Sequence, residues 1–198
     1  MLGESDSLIA MLDVATTALD GPMILTPRRF ADTRGSFSEV WNARTMASVG
    51  LDFEFTQDNQ SISTVAGTIR GLHYQAPPYA QGKLVRCAAG ALCDIAVDVR
   101  KGSATYGQWT GVDLTAENGR QFWIPPGFLH GFVTRADQTV CLYKCTAVYN
   151  PEADGAVCWN DPDLMIDWGI KPDDAILSDR DAAAPKFADW CSPFTEES

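Results

Sequence analysis

Short apolar segments separated by turn residues fill the chain from Pro22 onward, and this pattern most constrains its fold. Val, Ile, Phe, Trp and Tyr recur within the segments, while Gly, Pro and Asn end them, as is typical of short β-strands. In residues 93–99, Cys, Ile and Val alternate with Asp and Ala, which places the two sets on opposite faces of a strand. Many strands at this spacing predict an all-β sandwich or barrel, and a jelly roll is one way to protect its edges.

A second strand is expected over residues 140–149, and two helices are expected at the margins. One helix follows Asn42 and ends at Gly50, a pattern with a cap at each end. The other follows Ser178, with Asp181 three residues later at capping-box spacing. Residues 1–21 are interpreted as a leader, with a short helix as one option, and residues 22–198 as a single domain with a C-terminal helical segment.

The composition indicates a globular protein rather than a disordered one. The 198 residues are 45% hydrophobic and 21% charged, which suits one domain with a sizeable core. The formal net charge of −11 disfavours nucleic acid and anionic lipid as partners, so a phosphate site would need a local cluster of Arg and Lys. We find no apolar stretch of membrane-span length and no secretory signal, so we expect a cytoplasmic protein.

The six cysteines contain no C-x-x-C pair, which disfavours a structural zinc site. A chain of this size folds without disulfides, and no export signal is evident. We therefore predict buried, reduced thiols at all six positions, which are Cys87, Cys93, Cys141, Cys145, Cys158 and Cys191.

Seven blocks carry the residues with chemical potential. They are DTRGSFSE from Asp32, QDNQS from Gln57, IRGLHYQ from Ile69, QGKLVR from Gln81, WIPPGFLHGF from Trp123, CLYKCTAVY from Cys141 and LSDRDAAAP from Leu177. Together, in this order, the blocks resemble the dTDP-4-dehydrorhamnose 3,5-epimerase family over roughly residues 22–185. The resemblance implies a cupin-like jelly roll with a few short peripheral helices, a homodimer, and no metal or other cofactor.

The family's reaction inverts carbons 3 and 5 of a dTDP-linked 4-keto-6-deoxyhexose, and that chemistry sets requirements. A proton next to a ketone is weakly acidic, so a base must lie against one face of the sugar. The developing enolate oxygen needs positive charge or hydrogen-bond donors. An acid on the opposite face must then return a proton.

By resemblance, His73 is the base and Asp181 the carboxylate that orients it. Imidazole suits this role because its unperturbed pKa lies near neutrality. Each residue also has a purely structural interpretation. His73 would be an ordinary hydrogen-bonded histidine, and Asp181 would only complete the cap that begins at Ser178.

Tyr143 matches the family's general acid, and Lys83 matches the residue that stabilises the enolate. On the predicted strand over residues 140–149, Tyr149 has the same parity as Tyr143, so it is a second candidate for the acid or a stacking residue. The structural interpretations are a core tyrosine with its hydroxyl at the rim, and a solvated lysine.

The resemblance assigns substrate binding to polar residues spread along the chain. Arg suits phosphate, and the Gln and Asn side chains suit the edge of a thymine base. The matched positions are Arg34, Glu39, Gln57, Asn59, Arg70, His130, Tyr149, Asp154 and Arg180. His130 would donate to the sugar or to its keto oxygen, and the strand with Arg34 and Glu39 can serve the neighbouring subunit's site.

The chain departs from the family pattern at three positions. Gln60 stands where the family often has His, so any help from that His is lost. Asp154 stands where Glu is frequent. Arg180 stands where Lys is frequent, which keeps the charge but changes the geometry.

Three further functions are compatible with a jelly roll of this kind. A metal-dependent cupin commonly uses three His and a Glu, or two His and a carboxylate, and this chain has only two His. Analysis of the purified protein for metal would discriminate that class. A non-catalytic sugar-binding jelly roll also remains open, and so does an epimerase that acts at carbon 3 or carbon 5 alone.

Overall fold

The protein, described by a computed structural model over residues 11–195, is built from thirteen strands and two short helices. The strands are β1 Leu12–Thr16, β2 Met23–Pro27, β3 Phe30–Asp32, β4 Gly35–Phe37, β5 Gln57–Ser63, β6 Ile69–Gln75, β7 Lys83–Ala89, β8 Ala91–Asp98, β9 Trp109–Thr115, β10 Gln121–Ile124, β11 Phe128–Thr134, β12 Thr139–Cys145 and β13 Asp154–Ala156. The helices are α1 Ala43–Ala47 and α2 Asp179–Ala182, and 3₁₀ turns lie at Pro172–Asp174 and Phe187–Asp189.

Two antiparallel sheets face each other and form a cupin-like jelly roll, so the predicted all-β fold is confirmed. The first sheet has the order β1-β2-β10-β7-β12-β5, and the second has the order β13-β6-β11-β8-β9. The short pair β3–β4 projects as a separate hairpin whose residues are all exposed. This topology brings strands that are distant in sequence side by side, and it thereby assembles the site described below.

Three apolar clusters hold the layers together. The central one lies between the sheets and joins Val85 and Phe122 of the first sheet to Ala96 and Phe132 of the second. The remaining two cover the outer faces of the sheets. Because both faces of each sheet are covered, many strand residues are buried on both sides, and strict alternation of polar and apolar residues is not required.

The predicted strand over residues 93–99 is β8, which begins at Ala91 and ends at Asp98. Its apolar face, formed by Cys93, Ile95 and Val97, lies in the outer cluster of the second sheet, as the alternation predicts. The acidic face is also buried, because Asp94 and Asp98 are 0% exposed. Asp98 accepts hydrogen bonds from Arg100, Ser103 and Thr105, which hold its pKa at about 2 although burial alone raises it.

The two predicted helices begin where expected and are shorter than expected. The Asn42 side chain accepts hydrogen bonds from the first turn of α1, which ends three residues before Gly50. The hydroxyl of Ser178 accepts from the backbone N–H of Asp181 at 3.1 Å, and α2 is a single turn. The short helix that was one option for the leader does not lie at residues 12–16, which form β1 and pair with β2, while residues 1–10 lie outside the described part of the chain.

Two further expectations need correction. The strand predicted to reach residue 149 ends at Cys145, so Tyr149 lies in the following loop and its strand parity with Tyr143 has no meaning. All six cysteines are free, as predicted, but Cys191 is exposed and Cys93 and Cys158 are only partly buried. No helix among residues 11–195 has the length and apolar character needed to cross a bilayer.

Candidate active site

A cavity of about 410 Å³ lies between the two sheets, and four side chains from opposite walls line it. His73 on β6 and His130 on β11 come from the second sheet, where these two residues are register partners. Lys83 at the start of β7 and Tyr143 on β12 come from the first sheet. The structure therefore places an imidazole and a phenol on facing walls of one cavity.

The His73 imidazole is paired with a buried carboxylate. Its Nε2 lies 2.6 Å from Oδ1 of Asp181, which is 4% exposed. Burial alone raises the pKa of Asp181, but the hydrogen bond and charge of His73, together with hydrogen bonds from Gly71 and Ser178, hold that pKa below its ordinary value. The Ser178 hydroxyl accepts from the backbone N–H of Asp181, and Oδ2 of Asp181 accepts from the backbone N–H of Gly71 at 3.4 Å. Oδ1 is directed to His73, so the helix cap and the contact with His73 coexist.

The His130 imidazole has a carboxylate partner of its own. Its Nε2 lies 2.6 Å from Oδ1 of Asp94, and both side chains are buried. Burial lowers the pKa of His130, and the positive charges of Lys83 and His73 act in the same direction against the opposing effect of Asp94. These effects favour the neutral ring, whose Nε2–H donates to Asp94 and whose Nδ1 is left as an acceptor.

Burial also shifts the pKa values of Lys83 and Tyr143. Desolvation lowers the pKa of Lys83, and the nearby Cys145, Asp94 and Asp154 offset part of that effect. Desolvation raises the pKa of Tyr143 to about 12, so its hydroxyl is protonated at neutral pH and can donate a proton.

A second lobe of about 360 Å³ adjoins the first and shares His73, Lys83, Tyr143 and Arg180 with it. Predicted substrate-binding residues line this lobe, namely Gln57, Asn59, Tyr149 and Asp154. They are tied to each other: the Gln57 amide donates to Asn59 at 3.0 Å and accepts from the backbone N–H of Tyr149 at 2.8 Å.

Arg70 belongs to the first lobe, where its Nε donates to the Ser63 hydroxyl at 3.2 Å. Two predicted residues lie elsewhere. Arg34 sits at the tip of the β3–β4 hairpin, paired with Asp32 at 2.5 Å and with its side chain 88% exposed. Glu39 accepts hydrogen bonds from Asn42 and Thr45 at the start of α1. Neither residue lines either lobe within one chain.

Comparison with known proteins matches residues 16–189 to the family model described as dTDP-4-dehydrorhamnose 3,5-epimerase. The enzyme of that name from Sinorhizobium fredii is 49% identical over 170 residues, which span 84% of this chain and 85% of that protein. This chain belongs to the dTDP-4-dehydrorhamnose 3,5-epimerase family.

Solved structures of relatives agree with the family assignment. The dTDP-6-deoxy-D-glucose-3,5-epimerase from Legionella pneumophila, in complex with dTDP-4-keto-L-rhamnose, has a TM-score of 0.84 and 44% identity, and the match covers 88% of this chain and 92% of that one. A more distant relative is a 3′-monoepimerase from Streptomyces bikiniensis, solved with dTDP as a variant in which one histidine and one tyrosine are replaced. Its TM-score is 0.81 and its identity 33%, and the match covers 88% of this chain and 87% of that one.

The departure from the family pattern at Gln60 has no contact with the cavity. On β5, Gln57, Asn59 and Ser61 are partly buried, while Gln60 is exposed on the alternate face. Gln60 lines a depression on the outside of the first sheet, which Asn59 and Tyr143 also border, and it lines neither lobe of the cavity. The concern that Gln60 removes help from the site therefore has no support in the geometry of a single chain.

We expect Gln60→His to change kcat/KM by less than about threefold, since the side chain faces away from the reacting groups. Steady-state kinetics of both proteins at equal purity would check this. A change of tenfold or more would show that the outer face of β5 communicates with the cavity.

Sequence reasoning missed Asp94, the partner of His130, and the apolar wall formed by Phe132, Ile176 and Leu177. A signal for Asp94 was present, because an acidic residue within an otherwise apolar strand is costly unless it is paired. No comparable signal marked Ile176 and Leu177, which reach the cavity only through folding. Among residues 11–195, no three His, Cys, Asp or Glu side chains are grouped to hold a metal ion.

Proposed function

We propose that this protein inverts carbons 3 and 5 of dTDP-4-dehydro-6-deoxy-D-glucose and produces dTDP-4-dehydro-L-rhamnose, a step of dTDP-L-rhamnose biosynthesis. The observation that carries the proposal is the single cavity in which His73 of the second sheet confronts Lys83 and Tyr143 of the first. The names of the relatives supply the sugar and the nucleotide, because the similar enzymes act on dTDP-linked 4-keto sugars.

In this proposal His73 removes the proton from carbon through Nδ1. Its Nε2 is engaged by Asp181, so the neutral ring donates Nε2–H to the carboxylate and keeps its lone pair on Nδ1. Asp181 then stabilises the imidazolium that forms. Access favours His73 over His130 for this role, because their side chains are 30% and 8% exposed.

The electrons released from carbon move onto the keto oxygen, and the Lys83 ammonium stabilises the resulting enolate. Tyr143, on the facing wall, returns a proton to the opposite face and so inverts the carbon. Both reacting carbons adjoin the carbon 4 ketone, so one base and one acid can serve each in turn. The neutral His130, with Nδ1 as acceptor, holds a sugar hydroxyl, which replaces its expected role as a donor to the keto oxygen.

The second lobe is proposed to hold the nucleotide. Gln57 and Asn59 offer amide groups to the base, and Tyr149 offers an aromatic face. Arg180, which lines both lobes, and Arg70, from the adjoining first lobe, offer positive charge to the diphosphate.

We also propose a homodimer in which Arg34 and Glu39 complete the neighbouring site. Their absence from their own cavity supports it, as does the exposed hairpin, where Phe37 is 70% exposed. Sedimentation equilibrium of the purified protein tests the dimer, and a monomer at enzymatically active concentration would contradict it.

The second candidate is an epimerase acting at one carbon only. The two positions replaced in the Streptomyces bikiniensis monoepimerase are separated by the same number of residues as His73 and Tyr143. This equality supports the importance of the pair, and it also means that the pair does not distinguish one inversion from two. The 3,5-epimerase is preferred because relatives of that name are more similar to this chain.

The deciding experiment is proton NMR of the purified enzyme with dTDP-4-dehydro-6-deoxy-D-glucose in heavy water. We expect deuterium at carbons 3 and 5 and the L-rhamno product. Exchange and inversion at one carbon would support the monoepimerase. Binding without exchange would identify a non-catalytic module and refute the proposal.

A further inference from the structure

At the mouth of the cavity, two side chains donate to the same carboxylate oxygen of a third. The Tyr149 hydroxyl donates to Oδ2 of Asp154 at 3.1 Å, and Nη1 of Arg180 donates to the same oxygen at 2.8 Å. Tyr149 comes from the loop after β12, Asp154 from β13 and Arg180 from α2. A single oxygen thus connects three segments that are separate in sequence.

Exposure separates the roles of the three residues. The Asp154 side chain is 12% exposed, whereas that of Arg180 is 50% exposed and Tyr149 as a whole is 53% exposed. The carboxylate is therefore covered by the two groups that it holds, and those two groups are exposed at the mouth of the cavity. Its backbone is fixed as well, because Asp154 pairs with Gln75 on β6, the strand that carries His73.

A long side chain that is free before binding loses rotamer freedom when it contacts a ligand, and this loss weakens binding. Arg180 held by Asp154 has already lost that freedom. We infer that Asp154 is a positioning residue, which holds Arg180 and Tyr149 as a pair at the mouth to receive the nucleotide, rather than a residue that contacts the substrate. This inference rests on the proposed function, which supplies the nucleotide.

Charge repulsion alone predicts that losing the Asp154 carboxylate would tighten nucleotide binding, whereas the positioning role predicts that it would weaken it. This difference in sign makes the inference testable. A carboxylate beside a diphosphate repels it, so removing the Asp154 charge would tighten binding if repulsion were its main effect. If Asp154 instead holds Arg180 in place, removing the charge weakens binding. The sign of the change in affinity for dTDP separates the two effects.

The test variant is Asp154→Asn, because Asn keeps an acceptor for the Tyr149 hydroxyl and loses the ion pair with Arg180. We expect calorimetry with dTDP to show a Kd raised about five- to tenfold. KM should rise in parallel, and kcat should stay within about threefold of the wild-type value, because the reacting groups are untouched. Asp163→Asn is the matched control: it removes one exposed negative charge outside both lobes and should change Kd by less than about twofold.

A double-mutant cycle shows whether Asp154 acts through Arg180. In an Arg180→Gln background, the effect of Asp154→Asn on Kd should fall below about twofold. An undiminished effect in that background would mean direct contact between Asp154 and the ligand, and would overturn the inference. An unchanged or lower Kd in the single variant would do the same. Failure of the wild-type protein to bind dTDP would refute the proposed function, and this inference with it.

Discussion

His73→Ala should lower the rate of deuterium incorporation at carbons 3 and 5 by about 10³-fold or more. The imidazole is the proposed base for both carbons, and the other imidazole in the cavity is less accessible, since the His130 side chain is 8% exposed against 30% for His73. NMR in heavy water measures the exchange at each carbon. Calorimetry with dTDP should give a Kd close to the wild-type value, because the nucleotide lobe keeps its polar groups.

His130→Ala is the matched control, since both histidines pair through Nε2 with a carboxylate at 2.6 Å and are register partners on the neighbouring strands β6 and β11. We expect this variant to bind the sugar less well and to retain measurable exchange at both carbons. Substantial exchange in His73→Ala, or an equal loss in the two variants, would remove His73 from the role of base.

Tyr143→Phe should separate exchange from inversion. Without the hydroxyl, His73 can still remove a proton and return a deuteron to the same face, so exchange should continue at a reduced rate. Formation of inverted product should fall by about 10²-fold or more, because the opposite face has lost its acid. The same NMR experiment reports both, since it shows where deuterium enters and which stereoisomer forms.

Tyr149→Phe provides the control for this second variant. Tyr149 lies in the nucleotide lobe, and its hydroxyl is already committed to Asp154. Its loss should raise KM and leave the ratio of inversion to exchange unchanged. If Tyr149→Phe lowered that ratio while Tyr143→Phe did not, the acid would have to be reassigned to Tyr149.

The fold was largely predictable because local patterns and global packing agree. The alternation in residues 93–99 predicted β8, and Asn42 and Ser178 predicted the helix starts, since a capping side chain acts over two or three residues. The end of β12 at Cys145 was not predictable from parity, because a strand pattern can continue into a loop without any local cost. For the same reason β1 was not visible in the leader: it is a strand only through its pairing with β2.

In the candidate site too, some features could be predicted from the sequence and others arise only from the fold. The block around His73 and the block around Asp181 were both recognisable, but the two residues are 108 positions apart in sequence and meet only through the fold. The partner of His130 was not recognised, because Asp94 reads as one polar position in an alternating strand. Arg34 lies outside the cavity because its hairpin pairs with neither main sheet, and Glu39 lies outside it because its carboxylate is held at the start of α1.

The base and the acid of the proposed reaction are anchored in different layers of the sandwich, and the apolar cluster between the layers is what fixes their separation. Catalysis therefore depends on how the two sheets are aligned with each other, and not only on each sheet being intact. A variant that loosened the apolar packing between Val85 and Phe132 would keep its strands and still lose turnover, because His73 and Tyr143 would no longer be held at a fixed distance. The rate of turnover should therefore respond to a loss of packing between the sheets before any measure of β-strand content does.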